Sequence, residues 1–237
     1  MYMKNLKCVI NSARKKGLIR SARYPFGNDR YEIPAGSGRN MALSLREIEA
    51  VATYTDNRSG TEELRDLWFF SYLCNGINFS DMLTLKYSNI FNGEIRFLRS
   101  KTFRSIKCKK EIRAAITPEM QAIIGRWGNP NQPQNFIFKY LKGTETPFEQ
   151  ISIIKNVIKR CNNKLKQIAK KLKIEQLSTY TARHSFATVL KRSGANIAYI
   201  SDSLGHTNLS TTENYLAGFE TDELIKNSKL LTDFKNS

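Results

Sequence analysis

Apolar positions recur at helical spacing along most of the chain. Residues 1–22, "MYMKNLKCVINSARKKGLIRSA", predict one amphipathic helix ending at Gly17, followed by a basic tail. Residues 23–42 carry Pro, Gly, Ser and Asn and predict a linker. "SLRE" sets Ser44 as an N-cap with Glu47 three residues on, a capping box that opens a helix to about Thr55. Thr61 and two glutamates open a second helix, with Leu64, Leu67, Trp68 and Tyr72 on one face. "GINFSDMLTL" predicts a turn and a short helix.

The period then changes. Asn92-Gly93 is a hairpin signal, and Ile95, Phe97, Arg99 and Lys101 alternate onto one side, as in a small antiparallel sheet. Helices resume at Thr117-Pro118-Glu119. "TPFE" at 146–149 is another capping box, opening a long helix to about Lys173. Its apolar stripe is Ile151, Ile154, Val157, Ile158, Cys161, Leu165, Ile168 and Leu172. Lys155, Lys159, Lys166, Lys170 and Lys173 lie on the other side, as either a phosphate-contacting face or a solvated one. A helix over Thr179–Ser193 stops at Gly194, and a shorter one stops at Gly205. "STTE" at 210–213 is a third capping box that places Tyr215 on a short helix. "TDELIKNSKLLTDF" predicts an amphipathic tail helix. The fold class expected is mainly α with one small antiparallel β-sheet.

Charge narrows the partners. Lys and Arg number 38 against 21 acidic residues, a net charge of +17, which favours a polyanion such as nucleic acid. No apolar run approaches the ~20 residues of a membrane span. The cysteines Cys8, Cys74, Cys108 and Cys161 are scattered, with no C-x-x-C pair. They predict reduced, buried thiols, a cytosolic setting and no metal site.

The candidate chemistry lies in "LSTYTARHSFATVLKRSGANIAYISDSLGHTNLSTTENYLAGFE", residues 177–220, which holds the chain's two histidines, His184 and His206. Arginine fits a phosphate with a planar fork, histidine moves protons near neutral pH, and tyrosine is a nucleophile once deprotonated. Arg183, His206 and Tyr215 together suggest phosphodiester transesterification through a phosphotyrosine.

The spacing sharpens that reading. Arg183 precedes His206 by 23 residues, and Tyr215 follows His206 by 9. With "YTARHSFAT" and "LGHTNLSTTENY", residues 44–230 resemble the catalytic domain of the tyrosine recombinase (phage integrase) family. The resemblance implies an α+β catalytic domain over 43–237. It also implies that residues 1–22 are the last helix of a truncated core-binding domain and that 23–42 is the linker. The implied site holds Tyr215 as nucleophile, with Arg183 and His206 on the phosphate. A hairpin lysine there touches DNA and protonates the leaving oxygen. Lys101 matches it, with Lys107 and Lys109 as the other possibilities.

Two positions depart from the family pattern. Tyr180 stands where its first-box histidine is expected, either as a phosphate or proton-relay group or as a packing residue. Asn78 stands where an arginine is expected, in "NGINFSDML". Arg99, on the strand face of Lys101, is the expected replacement, and Arg96 points to the other face. This variant pattern is similar to integrases of Bacteroides mobile elements. Asp81 is expected to hold a basic side chain in the cleft. DNA contacts are expected from Lys101, Arg183, His184 and Arg99.

The resemblance implies site-specific recombination, with integration or excision of a mobile element. Double-stranded DNA is the implied partner, with a tetramer of this chain on the recombining sites. No cofactor and no metal are needed, because the phosphotyrosine conserves the bond energy. The implied location is the bacterial cytoplasm, at the nucleoid. Relaxation of supercoils in the manner of a type IB topoisomerase is the rival within the same chemistry. A DNA-binding regulator with a weakened site is the rival that Asn78 and Tyr180 suggest.

Overall fold

The computed structural model describes residues 2–27, 29–34, 41–56, 58–100, 111–206 and 209–213. Lys101, Lys107, Lys109, Cys108, Tyr215 and the expected tail helix lie outside them. The chain divides into two compact units, Met1–Arg39 and Asn40–Ser237.

In the first unit, α1 (Tyr2–Lys15) has no buried residue and ends before Gly17, whose φ of 74° is left-handed. The segment after it folds back on α1. The Tyr24 hydroxyl donates to Asn11 Oδ1, and the Arg14 guanidinium lies 4.4 Å from the Tyr24 ring centroid.

The second unit opens with α2 (Leu45–Ala52), capped as expected by the reciprocal Ser44–Glu47 pair. It ends three residues short of the expected Thr55. α3 (Thr61–Leu73) carries Leu64, Leu67 and Trp68 inward, but Arg65, Asp66, Phe70 and Ser71 are buried too. A one-faced helix was expected; α3 is instead the central helix, touched by α2 and by three later helices. Its buried charges are paired: Asp66 accepts from Arg65, Arg126 and Trp127.

After α4 (Phe79–Met82) comes a three-stranded antiparallel sheet, β1 (Ile90–Phe91), β2 (Glu94–Phe97) and β3 (Ile112–Ala115), in that order. Asn92 (φ 49°) and Gly93 (φ 74°) make the two-residue turn that the strand twist favours. In β2, Ile95 and Phe97 face the core as expected, but the strand ends at Phe97, opposite Ile112. The expected alternation through Arg99 therefore fails. Beyond Phe97 the amide of Ser100 donates to Asp81 Oδ1, outside any ladder.

α5 (Pro118–Trp127) starts behind Thr117 as N-cap with Pro118 at N1. α6 (Pro147–Leu172) has the expected Thr146–Glu149 capping box. Val157, Cys161, Leu165 and Ile168 of its stripe are buried and Ile154 and Ile158 half-buried, whereas Ile151 stays 52 % exposed near the helix start. All five lysines of the opposite side are exposed. α7 (Thr181–Arg192), α8 (Ile197–Ser203) and α9 (Leu209–Glu213) follow. α9 begins at Leu209, one residue before the expected cap position 210.

Cys74 and Cys161 are buried, and burial pushes both thiols up; Cys8 is exposed, contrary to expectation. No helix among the described residues is long and apolar enough to cross a membrane.

Candidate active site

Three anchors place the helix that carries Arg183. Trp68 Nε1, from the central α3, donates to Ser178 O at 3.0 Å and faces Thr181 Oγ1 at 3.1 Å. Asn162 of α6 accepts from the Thr179 amide at 2.8 Å. Ser185 Oγ accepts from the Leu43 amide at 2.9 Å. The first turn of α7 is thus fixed to three separate parts of the domain.

Opposite it, the chain leaves α3 through two successive left-handed residues, Asn75 (φ 54°) and Gly76 (φ 60°). Asn75 Nδ2 donates to Arg113 O, and Ser71 Oγ donates to Ile77 O, which closes the turn. A Cβ on Gly76 would stand 2.7 Å from Arg183 Cα. Only glycine combines this φ with this approach, so the turn can press its carbonyl against the arginine.

Arg183 is 3 % exposed. Nη1 donates to Gly76 O at 3.1 Å, and Nη2 donates to Leu204 O and lies 3.2 Å from His206 Nε2. Two main-chain carbonyls and an imidazole therefore aim the fork. The Gly205 turn (φ 63°) delivers both Leu204 O and His206. His206 Nδ1 lies 2.9 Å from Thr212 Oγ1, on α9. Burial, then the charges of Arg183 and Arg99, push the His206 pKa down to about 4. The ring is neutral at pH 7.

Arg99 reaches this cluster from its own direction. Its charge acts on His206, and its Cδ lies 3.9 Å from where a Gly205 Cβ would stand. A cavity of about 280 Å³ is lined by Asn78, Phe79, Ser80, Arg99, Ile158, Thr179 and Tyr180. Asn78 and Arg99, the departing position and its expected replacement, thus share one cavity. Tyr180 joins them there, 41 % exposed, with its ring edge-on to His184 at 4.7 Å between centroids. His184 is 8 % exposed, so Tyr180 is the open member of that pair. Arg96 pairs instead with Glu94 and covers the Phe91 ring.

Asp81 holds the chain beside Arg99. It is 5 % exposed and accepts from both the amide and the hydroxyl of Ser100. Among the described residues no basic side chain is bonded to it, and its two contacts fix the backbone next to Arg99.

Residue patterning missed three contributors to the cluster. The Gly76 and Leu204 carbonyls carry no side-chain letter, and Thr212 reads locally as part of a cap. Glycine after Asn75, and glycine before His206, were the available signals for the two turns.

A buried arginine fork beside a neutral histidine, with a second guanidinium and a tyrosine lining a common cavity, has the donors that an anionic phosphate would need. Residues 41–221 match the family model described as Phage integrase family, and this chain belongs to that family. A tyrosine recombinase of Thermosipho africanus is 32 % identical over 110 residues, covering 46 % of this chain and 35 % of that protein. The tyrosine recombinase XerD of Rickettsia bellii is 24 % identical over 182 residues, covering 73 % of this chain and 58 % of its own length. The chain thus spans less than two thirds of the length of these relatives. The integrase of the Tn1549 transposon, solved in complex with a circular intermediate DNA, superposes with a TM-score of 0.61 at 16 % identity, over 96 % of this chain and 77 % of that one. The XerH recombinase, bound to a palindromic difH substrate, gives 0.61 at 16 % identity, over 86 % and 56 %. These two likenesses show the fold: a tyrosine recombinase catalytic domain, mainly helical with a small antiparallel sheet.

Proposed function

We propose that this chain carries the catalytic machinery of a site-specific DNA recombinase, the integrase of a mobile element, working through a 3′-phosphotyrosine. The observation that carries this is the Arg183–His206 contact inside a cluster that Arg99 also enters.

The chemistry follows from those side chains. A DNA phosphate entering the cleft draws charge from Arg183 and Arg99. His206 Nε2 takes the Tyr215 hydroxyl proton, and the tyrosyl oxygen attacks phosphorus. The bond from phosphorus to the 5′ oxygen breaks, and the Lys101 ammonium gives that oxygen its proton. A 5′ hydroxyl from a partner strand then reverses the step, so the bond energy is kept and no cofactor is consumed. Arg99 supplies the guanidinium that Asn78 lacks. Tyr180 presents its hydroxyl to the phosphate, and His184 backs its ring. The exposed lysines of α6 follow the duplex backbone. Four copies assemble on two recombining sites, in the bacterial cytoplasm at the nucleoid.

Covalent trapping tests the reading. Nicked suicide substrates spanning the ends of the encoding element are mixed with the full-length protein and with Tyr215→Phe. An adduct on a denaturing gel with the wild type alone is the expected result. Binding without any adduct would overturn it in favour of a regulator, and relaxation of plasmid without a partner strand in favour of a topoisomerase.

A further inference from the structure

We infer that Thr212 is a positioning residue for His206: its hydroxyl accepts the Nδ1 proton, leaving the Nε2 lone pair aimed at Arg183 and the cleft.

The argument is one of donors and acceptors. A guanidinium nitrogen has only protons to offer, so at 3.2 Å from Arg183 Nη2 the His206 Nε2 must accept. A neutral imidazole accepting at Nε2 carries its proton on Nδ1. That proton points at Thr212 Oγ1, 2.9 Å away, and the hydroxyl must be its acceptor. Thr212 is fully buried, so no bulk water competes for the contact.

The same arrangement serves both protonation states. When His206 gains a proton it gains it on Nε2, while the Nδ1–H bond to Thr212 is unchanged. The ring therefore keeps its pose while Nε2 switches from acceptor to donor. Thr212 lies on α9, three residues before Tyr215 in the chain. The contact thus ties the histidine to the segment that leads to the nucleophile. A generic cap would do neither, and α9 starts too early for Thr212 to be one.

The role of His206 in cleavage rests on the function proposed above, so the test has one arm that needs no DNA. Histidine ring nitrogens are labelled with 15N, and two-bond proton correlations report the tautomer. With two histidines in the chain, the His206 signals are those lost in His206→Gln. The wild type is expected to show Nδ1–H at pH 7, and Thr212→Val, with Arg183 still donating to Nε2, to keep that tautomer but move the Nδ1 resonance as its acceptor is lost. An Nε2–H wild type, or a Thr212→Val spectrum identical to the wild type, overturns the inference whatever the protein does to DNA. In the second arm, Thr212→Val forms the covalent adduct about tenfold more slowly, within what proton-transfer groups contribute, and Thr212→Ser restores the rate. Equal losses in the valine and serine variants would mean a packing role and would also overturn it. Failure of the wild type to form any adduct would sink the recombinase reading and leave the tautomer result to decide Thr212.

Discussion

His206 Nε2 lies 3.2 Å from Arg183 Nη2, inside a site where burial and two guanidinium groups keep the imidazole neutral. The pair is an acceptor held ready beside a donor. On the mechanism proposed above, a phosphate that engages the guanidinium would release the imidazole lone pair for proton transfer.

Arg183→Lys should bind DNA with little loss yet form the phosphotyrosine about 10²–10³-fold more slowly, the usual cost of removing one preorganised charge donor. An ammonium cannot reach the Gly76 and Leu204 carbonyls and the phosphate from one plane. Single-turnover adduct formation, beside a binding isotherm at the same salt, separates the two effects.

Arg99→Ala should lose about 10²-fold in cleavage, and adding Asn78→Arg should restore part of that loss, because both side chains line one cavity. Near-wild-type cleavage by Arg99→Ala alone would remove Arg99 from the machinery.

The depressed His206 pKa is also a stability statement. A histidine held neutral in the fold contributes fully above its unfolded pKa near 6.5, and that contribution is lost as pH falls toward about 4. The wild type should therefore lose about 1–3 kcal/mol more between pH 7 and 4 than His206→Gln does. Urea melts at a series of pH values measure the difference.

Gly76→Ala should destabilise by about 2–4 kcal/mol, since a left-handed φ and a backbone clash coincide there. Its new Cβ would meet Arg183 Cα, so cleavage should fall with stability. Thermal melting and adduct yield are the two readouts.

If the α6 lysines contact phosphates, Lys155→Gln, Lys159→Gln and Lys166→Gln together should lower the slope of log K against log salt by about 2–3. An unchanged slope would make them a solvated face.

The features legible in the chain were those decided within a few residues. Ser44–Glu47, Thr146–Glu149 and Asn92-Gly93 each satisfy their own backbone, so the letters suffice. The long apolar stripe of α6 needed one assumption more, a core to lie against, and only Ile151 near its free end departs from it. Arg99 was legible as a residue but not by the route taken. A strand through 101 would have aimed it by alternation, whereas the chain leaves the sheet at Phe97 and Asp81 takes the Ser100 amide. Asp81 is 19 positions away, and no local pattern carries that bond. Thr212 was passed over for the opposite reason. "STTE" satisfies a local rule, but the buried imidazole of His206 claims its hydroxyl.

The hold on Arg183 by Gly76 O and Leu204 O has a consequence for how such sites change over generations. A carbonyl belongs to the path of the chain and cannot be removed by exchanging a side chain. Neighbouring letters are then free to drift while the guanidinium keeps its aim, and an asparagine can occupy position 78 without disturbing it. A comparison of letters scores that exchange as decay, whereas the two carbonyls that hold the guanidinium here are untouched by it.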